Sequence, residues 1–396
     1  MSQPDLRFAI MGTGRITRRL IADIQTTPGA SVTVIASRSL ERAKWQADSF
    51  GVPGAVDGYD ELLKRDDFDV VYIALPPSLH CEWTVAACQA GRHVLCEKPL
   101  GMSADEVRAM ISAAQAADVR LLDATAWLHH ARTTQFRDWL KTAEPLPDTP
   151  EPKQAKADPF EELNADDTEA AVPFRLGTLR HLSASVSFRS PFQSGDHRLD
   201  ASLGGGCLLD LGWYAAGLIR FAAGRCPLSV SADGVMRDGI ISRVSATMQF
   251  DQDLTATLSC GFDTATRKWC EIAGEDASIV CDDFTRPWPD KPARSWVHEA
   301  SGKVHSFLEP ACCVEPSSSQ SSIENADAGN SSSESVETPC HQEREMIAEL
   351  VRRVRNPNDA SVQAAEAESY RQALQTQQIL DALAESIATG QRAVCC

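Results

Sequence analysis

No stretch of this 396-residue chain is apolar for long enough to span a bilayer, and its N-terminus shows no basic segment followed by an apolar run. A membrane protein and a secreted protein are both unexpected, and the chain is placed in the cytoplasm. Positive charge is also scarce. There are 38 Lys and Arg against 55 Asp and Glu, a formal net charge of −17. Phosphate backbones need clustered basic side chains, which sets nucleic acid aside as a partner. The 13 cysteines contain no C-x-x-C spacing, and Cys312–Cys313 and Cys395–Cys396 are merely adjacent pairs. They read as reduced thiols, neither a disulfide framework nor a zinc site, and no metal is expected. What remains is an ordinary globular composition, 43% hydrophobic and 23% charged, on a chain long enough for two domains.

The chain opens with a strand, Arg7–Met11, that runs into Gly12-Thr13-Gly14-Arg15-Ile16-Thr17. A helix follows, with Ile16, Leu20, Ile21 and Ile24 on one face. Strand, glycine turn and helix form the context that a dinucleotide fingerprint requires. Gly12 permits the tight turn, Gly14 lets backbone approach a pyrophosphate, and the helix N-terminus offers free N–H groups. Thr13, Arg15 and Ile16 lie within the same cofactor-binding turn, and Thr17 stands where a third glycine is usual. The second strand, Val32–Ser37, ends in Ser37-Arg38-Ser39 with no Asp or Glu for ribose hydroxyls. Arg38 offers a planar cation for a 2′-phosphate, and Ser37 a hydroxyl. NADP is therefore expected, with NAD as the alternative. The plainer reading of these residues is a solvated Arg38 and a Ser39 that caps the next helix.

A third strand, Val70–Ala74, stops at Pro76-Pro77-Ser78-Leu79-His80. The short apolar run Val94–Cys96 ends abruptly at Glu97-Lys98-Pro99. Ligands bind outside the carboxyl ends of strands in an open α/β sheet, so Pro76, His80, Glu97 and Lys98 are cofactor-facing candidates at one rim, although a histidine at such a helix start is more often structural. Alone, Glu97-Lys98-Pro99 would favour a plain surface turn that happens to contain a lysine. Ser103 and Glu106 form a capping box for the next helix, and a further strand spans Arg120–Asp123. Alternating strands and helices argue for a parallel, doubly wound sheet over residues 1–125.

The pattern changes in residues 126–396. Trp127 to His130 start a new helix that continues through Phe136, Trp139 and Leu140. Residues 144–172 are acidic and rich in Pro, and 309–338 are acidic and rich in Ser, so both read as mobile inserts. Leu182, Ala184, Val186 and Phe188 alternate with serines. Val244 to Phe250, and Leu254 to Phe262 after the turn Asp251-Gln252-Asp253, alternate with Ser, Thr and Gln. These predict antiparallel strands with one face on a core. The other face carries almost no charge, which suits a second subunit. Gly204-Gly205-Gly206-Cys207-Leu208-Leu209-Asp210-Leu211-Gly212-Trp213-Tyr214 reads as a glycine turn opening a helix. Asp210 and Tyr214, four apart, then share a helical face. An acid and a phenol so placed could orient a polyol and move its proton. An ordinary Asp and a packed Tyr are the plainer reading.

These four segments together resemble the glucose–fructose oxidoreductase, inositol dehydrogenase and rhizopine-catabolism family. The last segment, preceded by Arg198-Leu199-Asp200, is similar to the branch of NADP-dependent xylose, dihydrodiol and glucose–fructose oxidoreductases, which place Tyr where other branches have His. The resemblance implies a Rossmann domain followed by an α/β domain with an open, predominantly antiparallel sheet that makes a homodimer or a dimer of dimers. It implies that Lys98 and Tyr214 are the catalytic pair, with Asp210 contacting substrate. Trp127, His130 and Arg198 are the further substrate-binding candidates. The segment Trp127–His130 lacks the family's common Tyr-Arg pattern. The implied activity is hydride transfer between a nicotinamide cofactor and a sugar, polyol or cyclic diol. The alternative is a non-catalytic sensor of the same fold, which would not need a proton-relay pair.

Overall fold

The computed structural model describes residues 4–143, 172–189, 191–287, 292–308 and 341–395. All of the acidic insert except Val172, and all of the Ser-rich insert, lie outside the described residues.

The first layer alternates strand and helix: β1 (Leu6–Met11), α1 (Arg15–Thr26), β2 (Ala30–Ser37), α2 (Leu40–Phe50), β3 (Gly54–Asp57), α3 (Tyr59–Leu63), β4 (Val70–Ile73), α4 (His80–Gln89), β5 (His93–Cys96), α5 (Ala104–Ala116) and β6 (Leu121–Asp123). The strands form one parallel sheet in the order β3-β2-β1-β4-β5-β6. Every residue of β4 is buried, as expected where helices cover both faces of a parallel sheet. The order reverses between β1 and β4, and a crevice opens at the carboxyl ends of those strands. The sequence reading lacks β3. Its four residues show no alternation, and it exists as a strand because it pairs with the edge of β2. On α1 the inward face is Thr17, Leu20, Ile21 and Ile24, whereas Ile16 is 39% exposed.

The second layer comprises α6 (Ala131–Leu140), β7 (Leu179–Ser187), α7 (Cys207–Asp210), α8 (Gly212–Ala223), β8 (Ser229–Arg237), β9 (Ile240–Gln249), β10 (Thr255–Gly261), β11 (Arg267–Gly274), β12 (Ala277–Cys281), β13 (Arg294–Glu299), β14 (Val304–Leu308), α9 (Gln342–Arg355), α10 (Ala360–Thr389) and β15 (Ala393–Val394). Its sheet runs β14-β13-β12-β11-β7-β10-β9-β8-β15. All neighbours are antiparallel except β7 and β10, which pair in parallel. Alternation reveals which face of a strand is inward but not its direction, so the antiparallel expectation is corrected at this one pair. The inward residues are as expected: Leu182, Ala184, Val186, Val244, Ala246, Met248, Ala256, Leu258 and Cys260 are buried. Helices α8 and α10 cover that face. The opposite face is open, and Trp269 on it is 53% exposed.

Two segments differ from the single helices expected. Residues Ala126–His129 form a 3-10 turn before α6, and the Gly204–Tyr214 segment breaks at Leu211 into α7 and α8. Helix α9, from the chain's C-terminal part, returns to the first sheet. Its Met346, Ile347, Leu350 and Val351 share one apolar cluster with Phe8, Ile10, Ile21 and Ile24. One cysteine also departs from the all-thiol reading. Cys226 is disulfide-bonded, while the other described cysteines keep their thiols.

Candidate active site

The four edge positions Met11, Ile73, Cys96 and Asp123 are in register across β1, β4, β5 and β6. Whatever follows them therefore emerges at one rim. After β1 comes Gly12, at φ +109, where an added Cβ would sit 2.6 Å from the Ala74 carbonyl oxygen. No L side chain fits there. Gly14 precedes α1 and supplies no side-chain cap, so the first amides of that helix point outward at the rim. Space around Gly14 is open, with only Ala74 O at 3.9 Å from an added Cβ. Arg15 and Ile16 lie exposed in the first turn. Thr17, the residue in place of a third glycine, is fully buried. Its hydroxyl donates to Gly14 O at 2.7 Å and accepts from Gln46 at 2.6 Å, so it braces the turn.

Beside this turn the Ser37 hydroxyl lies 3.5 Å from that of Thr13 and accepts the Ser39 amide at 3.3 Å. Ser39 caps α2 by accepting the Arg42 amide. Arg38 is exposed, and with Arg42 it draws the Tyr59 hydroxyl down against the burial that raises its pKa. A cavity of about 320 Å³ opens here, lined by Thr13, Arg18, Glu41, Arg42, Trp45 and Gln46. Sequence reasoning chose Arg38 and missed Arg18 and Arg42. Arg42 sits one turn into α2, a spacing that could have flagged it.

After β4, Pro76 is partly exposed while His80 is 1% exposed. Both ring nitrogens of His80 face backbone oxygens, Nδ1 at 2.8 Å from Pro99 O and Nε2 at 2.8 Å from Leu75 O. His80 thus ties the β4 loop to the Lys98–Pro99 turn, and no ring atom remains for a cofactor. Glu97 accepts the Tyr72 hydroxyl at 2.5 Å and the Lys98 amide at 3.3 Å. Burial pushes its carboxyl up, against the lowering effect of Tyr72 and Lys98.

Lys98 reaches across to the second layer. Its Nζ donates to Asp210 Oδ1 at 2.7 Å and to Asp210 O at 3.0 Å. The other carboxylate oxygen accepts Arg198 Nε at 2.9 Å. Burial works against the Asp210 charge, but Lys98 and Arg198 outweigh it and hold the carboxyl at about 2. Burial likewise opposes the Lys98 ammonium, and Asp210 more than compensates, so its pKa rises. Tyr214 stands beside this pair, with Lys98 Nζ 4.8 Å from its ring centroid. Burial raises the Tyr214 pKa, and Lys98 offsets this only in part. Each Asp210 carboxylate oxygen accepts from a cation, Oδ1 from Lys98 and Oδ2 from Arg198, so the side chain orients both and keeps further lone pairs for a hydroxyl.

Two of the substrate candidates are not in the cleft. Trp127 is 1% exposed, with Phe221 and Phe284 edge-on at 5.8 Å. His130 is 1% exposed, and its Nδ1 accepts the Arg132 amide as the cap of α6. Two unpredicted residues are there instead. Asp196 lies 3.3 Å from Arg198, and His197 is partly exposed with its pKa lowered by burial and by Arg198. Gly204, at φ +83, lets this loop press on the first layer, since a Cβ there would lie 2.7 Å from Pro77 Cβ.

Comparison with known proteins gives a consistent picture. Residues 6–124 match the oxidoreductase family with an NAD-binding Rossmann fold, and residues 174–280 match the GFO/IDH/MocA C-terminal domain. A D-xylose 1-dehydrogenase (NADP(+)) of Haloferax volcanii is 30% identical over 69% of this chain and 75% of its own length. A dTDP-3,4-didehydro-2,6-dideoxy-alpha-D-glucose 3-reductase of Actinomadura kijaniata is 31% identical over 77% of this chain and 83% of its own. Among solved structures, a 3-ketoreductase from Actinomadura kijaniata in complex with NADP and TDP-benzene superposes with a TM-score of 0.74 at 24% identity, covering 96% of this chain and 98% of that one.

Proposed function

This chain belongs to the GFO/IDH/MocA oxidoreductase family, and we propose that it transfers a hydride between NADP and a carbinol or carbonyl carbon of a sugar, polyol or cyclic diol. The observation that carries this reading is the meeting of Lys98, Asp210, Arg198 and Tyr214 at the rim where Gly14 and the start of α1 lie open. The residues present fit the cofactor. The bare Gly14 turn leaves room and free amides for a pyrophosphate, and an arginine-lined cavity adjoins Thr13 and α2 for a 2′-phosphate. Arg38, Arg42 and Ser37 are the groups assigned to that phosphate. NADP supplies the hydride acceptor or donor.

The chain's own residues handle the oxygen. Lys98, held by Asp210, presents a fixed ammonium to the substrate oxygen. Tyr214 exchanges the proton with that oxygen. A charged Lys98 and a neutral Tyr214 are both donors at neutral pH, the state from which carbonyl reduction starts. Arg198 completes the cleft and binds a second substrate oxygen. The residues about 1–125 are assigned to cofactor, with α9 as their outer cover, and the second sheet to substrate and to self-association.

The deciding experiment is a panel of aldoses, polyols, their oxo derivatives and nucleotide-linked keto sugars, followed at the nicotinamide absorbance with NADP and NAD in turn. Turnover with NADP is expected. Tight NADP binding without turnover of any member would replace this reading with that of a sensor.

A further inference from the structure

The strand beside Lys98 carries a second device. Cys96 of β5 and Asp123 of β6 are register partners, and the Ala124 amide donates to Cys96 O at 2.7 Å. The turn bearing Thr125 is thus bound to the strand that presents Lys98 two residues later. Trp213, the residue before Tyr214, is 2% exposed, and its Nε1–H donates to Thr125 Oγ1 at 2.8 Å. The Thr125 hydroxyl in turn donates to Asp123 Oδ2. Thr125 is 4% and Asp123 6% exposed, so the chain of bonds is dry. An indole N–H can only donate, and a hydroxyl that accepts it has its own proton free for the carboxylate, so the order is fixed.

Packing alone does not need this arrangement. Trp127 also fills the core, and its Nε1 is buried with no partner. The Trp213 indole is different because it is aimed, and what it anchors is the first turn of α8. The two ends of adjacent strands therefore hold the two halves of one pair. One presents Lys98 directly, and the other holds Tyr214 through its neighbour. We propose that Asp123, Thr125 and Trp213 are positioning residues that fix Tyr214 against Lys98. The proposal rests on the reading of Lys98 and Tyr214 as the reacting pair. Displacing a reacting group by about 1 Å can cost on the order of a hundredfold in rate, so a buried, directional tether matters there.

The test uses the full chain labelled with [13Cζ]tyrosine. It has four tyrosines, and the Tyr214 line is the one missing from Tyr214→Phe. In Thr125→Val, which removes the hydroxyl at nearly constant volume, and in Trp213→Phe, which removes the donor together with part of the ring, the Tyr214 line is expected to move. In Thr125→Ser it should return to its wild-type position. With a panel substrate, kcat should fall roughly ten- to a hundredfold in the first two variants, with NADP affinity unchanged and recovery in Thr125→Ser. A Tyr214 line that stays in place in folded Trp213→Phe overturns the proposal, as does one equally displaced in Thr125→Ser. If Thr125→Val does not fold, Trp213→Phe and Thr125→Ser still decide. A fully active Tyr214→Phe overturns the underlying reading of the tyrosine. An inactive Tyr214→Phe beside a normal Thr125→Val overturns the positioning alone.

Discussion

Lys98 Nζ and Asp210 Oδ1 lie 2.7 Å apart although 112 positions separate them in the chain. One emerges from the rim of a parallel sheet and the other from a helix packed on a mixed sheet. Each is about one-seventh exposed, at 13% and 14%. At that burial, neither charge is cheap alone, and removing one partner leaves the other uncompensated.

Asp210 should therefore make the protein sensitive to acid. Its folded pKa of about 2 is below the ordinary value of 3.8, so its stabilising effect is full above about pH 4 and is lost as pH falls toward 2. The size is roughly 2 kcal/mol. Urea melts of wild type should lose that much across this window, and Asp210→Asn should show a flatter slope. The same variant should start several kcal/mol less stable, since it strands the Lys98 charge. Parallel slopes for the two proteins would remove Asp210 from the ion cluster.

Arg38→Ala should weaken NADP far more than NAD. A charge-assisted Arg–phosphate pair contributes on the order of 1.5–3 kcal/mol, or about a tenfold to 150-fold loss in affinity. Arg42 lines the adjacent cavity, so Arg42→Ala should show the same selectivity. Fluorescence titration with both cofactors checks this. Equal losses for NADP and NAD in Arg38→Ala would assign Arg38 to the adenine side, where it already faces Tyr59.

The proximity of several candidate residues was readable from the chain because they sit at element ends with fixed spacing. Gly12 and Gly14 follow a strand, Lys98 precedes Pro99, and Asp210 and Tyr214 flank one turn. What could not be read depends on tertiary contact. His80 stands at the rim in sequence, where a structural and a ligand-facing role look alike, and only the fold sets its two ring nitrogens on backbone oxygens. Trp127 and His130 carry polar atoms at the right place in sequence, yet the fold uses one as core and the other as a helix cap. Asp196 and His197 open a short 3-10 turn with no periodicity to read, and the Gly204 contact with Pro77 and the Arg198–Asp210 bond bring that segment to the cleft. The β7–β10 pairing is parallel because the intervening chain crosses back, which alternation along a strand does not encode.

The open face of the second sheet should bury itself in a homodimer. Its exposed positions include Thr255, Ser245 and Thr247, Trp269 is 53% exposed among them, and charge enters that face at Asp233, Arg267 and Glu271. An exposed apolar ring on a flat polar sheet suits a second copy. Light scattering at micromolar concentration should give a dimer or a dimer of dimers. Trp269→Glu should shift it toward monomer, with turnover per chain largely kept. A monomeric wild type at that concentration would leave the face without a role in assembly.

Lys98→Met and Tyr214→Phe should each lower kcat by about 10² to 10⁴ while NADP affinity changes little, as expected when a proton carrier is lost. The pair acts as one unit, so the double variant should be far less than additive. The pH dependence carries the assignment further. Burial raises the Tyr214 pKa from its usual 10, and Lys98 offsets this only in part. Carbonyl reduction, which needs the neutral phenol, should then be flat through neutral pH and decline only in strong alkali. Alcohol oxidation, which needs a proton acceptor, should climb with pH over the same range. In Lys98→Met the phenol loses the ammonium, and the alkaline decline should move still higher. Tyr214→Phe should abolish the decline along with most of the rate. If Tyr214→Phe instead kept near-normal kcat with the same profile, and only Lys98→Met were inactive, the lysine alone would carry the proton and the tyrosine would merely shape the cleft.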